Sequence, residues 1–172
     1  SFWTVLEFST TNTKLSPVLD TQRMSAFTIT NRLNNPTVSN TPSYVSDTAN
    51  TGTSSSAVYL TKSINLENAS TALDVRLTQN VRSSSNVKVY YRVTSAEEVR
   101  NIEDLNWTPF NSDGSEDTTV TPAEDDTTFK EYKYSASDIH DFTSFQIKIV
   151  MTGSVSSYPP IIRDMRALAL AV

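Results

Sequence analysis

The chain has 172 residues and a formal net charge of -5, enough length for one domain with a buried core and an appendage. The acidic balance argues against a nucleic-acid partner, because phosphate binding needs a basic face. With no cysteine there are no disulfides, thiolate metal sites or cysteine nucleophiles. No apolar run approaches the ~20 residues of a membrane-spanning helix, so no membrane partner is expected.

The opening, Ser1-Phe-Trp-Thr-Val-Leu-Glu-Phe8, is already strand-like and predicts a fragment of a longer polypeptide. Apolar positions continue at Leu15, Val18, Leu19, Phe27 and Ile29, and then residues 34 to 56 become polar, with Pro36, Pro42 and Gly52. Such a stretch cannot bury enough surface to fold alone. Residues 1–56 therefore read as an N-terminal arm and polar connector, lying against a partner or against the domain that follows. An arm of this kind docks by adding a strand or by burying its few apolar side chains.

From residue 57 to 172 short strands recur. Val58, Leu60, Ile64 and Leu66 share one phase, with Lys62 as the exception. Leu73, Val75 and Leu77 alternate with Asp74, Arg76 and Thr78; Val87, Val89, Tyr91 and Val93 alternate with Lys88, Tyr90 and Arg92. Period-two alternation marks half-buried strands. Ser95 with Glu98 forms a capping-box pattern, and Val99, Ile102 and Leu105 would share one face of a short helix or turn. Short strands follow at Trp107–Phe110 and Phe129–Tyr134. The closing strands are Phe145–Met151, with Phe145, Ile147, Ile149 and Met151 inward, and the segment after Pro159 and Pro160. Serine and threonine supply about a quarter of the chain, as suits a sheet protein with polar turns.

Crossover helices are missing, so the expected fold is all-β: an antiparallel two-sheet β-sandwich, jelly-roll-like, with an extended N-terminal arm. Its core should contain Val75, Leu77, Val87, Val89, Tyr91, Phe145, Ile147 and Ile149, with Lys88 and Lys148 on the wet outer faces.

The candidate chemistry is thin. His140, the single histidine, lies between Asp138 and Asp141, but no Gly-x-Ser-x-Gly elbow accompanies it and serines are everywhere. A surface or turn histidine is the plainer reading. Asp113, Glu116 and Asp117, with Glu124, Asp125 and Asp126 further on, offer the oxygen ligands calcium prefers. They lack the spacing of a calcium loop and read as solvated acidic turns. Tyr90, Tyr132, Tyr134 and Trp107 could form a sugar platform, since rings combine an apolar face with a polar edge. The alternative is that Tyr90 and Tyr91 straddle one strand, one packing in the core and one covering the outer sheet beneath an arm or neighbour. No catalytic, cofactor-binding or metal residue is assigned, and no cofactor is expected.

Three stretches, Ala57-Val-Tyr-Leu-Thr-Lys-Ser-Ile-Asn-Leu-Glu67, Leu73-Asp-Val-Arg-Leu77 and Asn86-Val-Lys-Val-Tyr-Tyr-Arg-Val93, followed by an acidic connection and Trp107, resemble a module of structural proteins of contractile-tailed bacteriophages. Phe145-Gln-Ile-Lys-Ile-Val-Met151 and Pro160-Ile-Ile-Arg-Asp-Met-Arg-Ala-Leu-Ala-Leu170 are similar to the closing strands of that module. Leu15-Ser-Pro-Val-Leu-Asp-Thr-Gln-Arg23 with Asn31-Arg-Leu-Asn34 resembles the segment preceding it in baseplate wedge and related tail proteins. The resemblance implies a non-enzymatic virion structural protein, made in the host cytoplasm. Its partners would be other tail or baseplate proteins, with a homo-oligomer among the candidate assemblies. The alternative function is a carbohydrate-binding β-sandwich module used in host adsorption.

Overall fold

A computed structural model describes residues 44–55, 57–155 and 158–171, together with Glu7. The strand-like opening and the arm positions Leu15, Val18, Leu19, Phe27 and Ile29 lie outside the described residues. The chain divides into two compact units, residues 1–30 and 31–172, and the description below concerns the second.

Among the described residues eight strands follow in order: β1 (Ala57–Leu60), β2 (Ile64–Ser70), β3 (Ala72–Asn80), β4 (Ser85–Thr94), β5 (Thr108–Pro109), β6 (Lys130–Ala136), β7 (Phe142–Gly153) and β8 (Ile161–Leu170). They form two antiparallel sheets. In the larger one β7 is central, flanked by β4 on one side and by β1 and β2 on the other, with β5 beyond β4. The smaller sheet runs β6-β3-β8. An all-β, two-sheet sandwich is thus the observed architecture.

The alternation explains why these segments pair. Leu73, Val75 and Leu77 of β3 and Tyr132 and Tyr134 of β6 face Val87 and Val89 of β4 and Phe145, Ile147 and Ile149 of β7 across one core. All are buried, while Tyr91 is half-buried against the same cluster. Burying a side chain of this size contributes about 1.5–3 kcal/mol, which is why a register slip that turned the stripe outward would not survive. Phe110 plugs the gap between the sheets beside β5, its ring 4.9 Å from Tyr91 and 6.2 Å from Tyr134.

A tight connection after Phe110 makes that placement possible. Asn111 and Ser112 have φ of 46° and 67°, and Gly114 has φ 90°. A Cβ on Gly114 would lie 3.1 Å from the Lys88 Cβ and 3.2 Å from the Val89 carbonyl oxygen. Glycine lets the turn press against β4 and accept a hydrogen bond from the Val89 amide at 2.8 Å.

Three expectations are corrected. The stretch Val58–Leu66 is two strands, broken at Thr61–Ser63, with Lys62 inside the break. The Thr61 hydroxyl accepts a hydrogen bond from the Ile147 amide at 2.9 Å, and the Thr61 amide donates to the Ile147 carbonyl at 3.0 Å. A side chain thereby takes the place of a ladder acceptor, and the strand turns off. Ser95–Leu105 is the expected short helix or turn, with the Glu98 amide donating to the Ser95 carbonyl and a single 3₁₀ turn at Ile102–Asp104, but the Ser95–Glu98 capping box does not form. No amphipathic helix forms there, and Val99 is 98% exposed. The Glu98 carboxylate is engaged by the Arg100 guanidinium at 2.9 and 3.0 Å instead of returning to the Ser95 amide. That bidentate pair holds the Glu98 carboxyl well below its usual range. The third correction concerns the outer face of β7, where Gln146, Lys148 and Val150 are all buried.

Candidate functional site

What covers that outer face is the polar connector. The Trp107 amide donates to the Thr48 carbonyl at 2.8 Å, and the Asn50 side-chain amide donates to the Asp104 carbonyl at 2.9 Å. Together they clamp residues 44–50 across the sheet beside Tyr90 and Lys148. The Lys148 ammonium donates to the Asp47 carbonyl and lies 4.6 Å from the Trp107 ring centroid and 5.2 Å from that of Tyr90. Arg92 stacks 4.2 Å from the same indole and donates to Gln146 Oε1 at 2.7 Å and to the Glu103 carbonyl at 2.9 Å. Two cations thus share one indole, an arrangement whose cation–π attraction is strongest where water is displaced.

Burial pushes Lys148 down to about 8; Arg92 pushes the same way and Asp47 opposes. Burial also lowers Arg92 and raises Tyr90 to about 12. An amine with so low a pKa is the kind used in Schiff-base chemistry. Lys148, however, is 2% exposed and spends its protons on the Asp47 carbonyl. It is a clamp for the connector.

The same burial removes the sugar platform. Tyr90 and Trp107 lie under the connector, while Tyr132 and Tyr134 point into the core, where the Tyr134 hydroxyl accepts a hydrogen bond from Gln79 at 3.2 Å. None of the four rings presents a face to solvent. Tyr91 and Tyr90 do straddle β4, one against the core and one beneath the connector.

The acidic residues stabilise their own loops. Asp113 accepts from the Ser115 amide and hydroxyl, and those hydrogen bonds lower its pKa. Asp125 accepts from the hydroxyls and amides of Thr127 and Thr128, which lower its carboxyl strongly. Asp117 does more. Its amide donates to the Lys133 carbonyl at 2.8 Å while its carboxylate accepts from the Ser135 amide at 2.8 Å, so it occupies the free edge of β6. Burial raises the Asp117 carboxyl, and hydrogen bonds from Asn111 and Ser135 more than reverse this. Glu116 and Glu124 join none of these turns as a third ligand, and no group of three ligating side chains occurs among the described residues.

His140 is exposed, with Nδ1 3.3 Å from the Asp141 carbonyl oxygen and no serine hydroxyl recorded beside it among the described residues. Replacing His140 with Ala should change the unfolding free energy by less than about 0.5 kcal/mol, as at other exposed positions. A urea melt that shifted by more than about 1 kcal/mol would contradict this placement.

A different region is open. β1 and β8 are edge strands of the two sheets and flank one groove of about 510 Å³, lined by Tyr59, Ile149, Met151, Ile162 and Met165. Tyr59 on the β1 lip is about half exposed, as are Leu60 on the outer face of β1 and Leu168 and Leu170 on the outer face of β8. Large apolar side chains gathered at one edge mark an interaction surface more often than scattered ones do. Between the leucines and the groove, β8 carries Asp164 and Arg166 on the outer face, where Arg166 reaches Glu131 and Glu131 reaches Arg76 at 3.0 Å. On the described residues β8 pairs with β3 alone, so one side of its backbone has no neighbouring strand.

Comparison with protein-family models, characterised proteins and solved structures finds no match to this chain. Sequence reasoning singled out rings and carboxylates and passed over the open edge. The available signal was parity: Leu168 and Leu170 share a phase with Arg166 and Asp164, which marks them as outward-facing.

Proposed function

We propose that this chain is a non-enzymatic structural module that makes protein–protein contacts through the open side between β1 and β8. The observation that carries the reading is the apolar groove with half-exposed Tyr59 on its lip and exposed Leu60, Leu168 and Leu170 on the adjoining strand faces, beside β8, which among the described residues lacks a partner on one side. Sheet edges of this kind bind extended chains or other edges, the backbone supplying affinity and the flanking pockets selectivity. The resemblance of the strand motifs to contractile-tailed phage proteins makes a tail or baseplate the setting, and other tail or baseplate proteins the partners. A structural role also fits the way the titratable side chains are used: Lys148 holds the connector, and Asp113, Asp117 and Asp125 hold loops. The carbohydrate alternative has lost its platform, because the rings it needs are buried.

The test is incorporation into particles. Purified tails of a phage encoding this chain should contain it stoichiometrically by mass spectrometry. Particles made with Tyr59→Glu and Leu60→Glu together should lack it, while the isolated variant keeps its fold by circular dichroism. Tails free of the wild-type chain would overturn the virion role; normal incorporation of the double variant would overturn the role of this face.

A further inference from the structure

We propose that the occupant of the β8 edge is a second copy of this chain, paired antiparallel through β8 about a two-fold axis at Met165. The inference rests on the interaction role argued above and names its partner. β8 spans ten residues, Ile161–Leu170, and is the long edge left open among the described residues. The opposite edge of the small sheet is taken by Asp117. The larger sheet ends on one side in the two residues of β5 and on the other in β1 and β2, divided at Thr61–Ser63.

The register follows from charge and pleat. A two-fold axis perpendicular to a sheet keeps outward side chains outward, so residues of equal parity oppose each other on the regular stretch from Asp164 onward, the phase changing at the bulge at Arg163. Asp164, Arg166 and Leu168 are outward, opposite Thr78, Arg76 and Asp74 of β3. Centring the axis on Asp164 or on Arg166 would set like charges directly opposite, which destabilises a strand pair. Centring it on Met165 places Asp164 of each copy opposite Arg166 of the other, giving two reciprocal ion pairs. Charges on an edge strand commonly forbid pairing; here their order, acid then base around a single central residue, makes the edge self-complementary. The same operation brings Met165 of the second copy beside its own counterpart at the groove mouth, where apolar surface is exposed. The result is one continuous six-strand sheet, β6-β3-β8 followed by its inverse. Met165 would sit on the axis with a Cα separation of about 4.5–5.5 Å, within the range a disulfide spans.

The experiment uses the full 172-residue chain. Sedimentation velocity over about 10–100 µM should show a monomer–dimer equilibrium. Asp164→Arg alone or Arg166→Asp alone sets like charges opposite at both pairs and should raise the dissociation constant about tenfold or more. An equimolar mixture of the two single variants should restore association, because each then supplies the complement of the other. In this cysteine-free chain, Met165→Cys should crosslink as a dimer under mild oxidation, and the exposed Val99→Cys should not. The crosslinking arm does not depend on the charge variants folding. A wild-type monomer throughout, a dimer indifferent to both single variants, or a mixture that stays dissociated would each overturn the proposal. A monomer whose chain is still found in tails would remove the self-pairing and leave the assembly role. Reciprocal charge rescue with tails that lack the chain would do the reverse.

Discussion

Replacing Phe110 with alanine is expected to cost about 4 kcal/mol, the largest loss from any single truncation proposed here. Phe110 has no exposed surface and lies between Tyr91 and Tyr134, one from each sheet. Truncation removes the transfer free energy of a ring and leaves a void, together about 3–5 kcal/mol. The two tilted ring contacts add about 0.5–1.5 kcal/mol each when intact. Relaxation is restricted, because the left-handed turn at Asn111 and Ser112 and the close seat of Gly114 on β4 fix the backbone behind the ring. Against a typical total of about 5–15 kcal/mol, the variant should be marginally folded at 25 °C. Urea melts of Phe110→Ala beside Val99→Ala would check it; Val99 is almost fully exposed and should show no shift. A loss under about 1.5 kcal/mol for Phe110→Ala would mean that the plug closes without its ring.

The second large effect is a rise of stability with pH through the alkaline range. Lys148 is lowered to about 8 in the folded chain by burial, from an ordinary value of 10.5. Between those values the unfolded chain binds a proton at this position and the folded chain does not, so unfolding free energy increases with pH. The cost of burying the ammonium is therefore full below about pH 8 and fades as pH approaches 10.5. Burial raises Tyr90 and Tyr134, which acts in the opposite sense, because above about pH 10 the unfolded phenols ionise first. Stability should climb by about 2 kcal/mol from pH 7 to pH 10 and then fall. Lys148→Met keeps the length of the side chain without the charge and should flatten the climb. Urea melts at pH 7, 8.5 and 10 on both chains would decide: parallel curves would place the ammonium in solvent.

The strands that were legible in the sequence are those whose alternation is decided by near neighbours. β3, β4 and the inner face of β7 follow directly from Leu73, Val75 and Leu77, from Val87 and Val89, and from Phe145, Ile147 and Ile149. The outer face of β7 was misread because Gln146 and Lys148 look like a wet face unless residues 44–50 and Trp107 are known to lie over them. That knowledge is of contacts such as Lys148 to Asp47, which lie far apart in the chain. Tyr132 and Tyr134 were a different error. They alternate with Glu131, Lys133 and Ser135, so their inward phase was visible, and only the search for exposed rings hid it. The break at Thr61–Ser63 had a local sign in Lys62, a charge at a position that shares the phase of Val58, Leu60, Ile64 and Leu66. The open edge was not legible, because which strand ends a sheet depends on the pairing of all the others.

That break at Thr61–Ser63 has a consequence for how assemblies of this chain end. A strand arriving at the β1 side meets four residues, Ala57–Leu60, before the edge turns away, whereas β8 offers ten. A sheet with two long, equivalent edges is a repeating unit: each addition exposes a fresh edge, and growth has no natural stop. The small sheet is not of that kind: β8 is its long edge and Asp117 covers the other, at β6, so a copy paired through β8 has used the site that recruits. In the larger sheet Thr61, by turning its hydroxyl onto the Ile147 amide, shortens the β1 edge in the same sense, so the proposed pairing would stop at a finite assembly and not run on as a fibre.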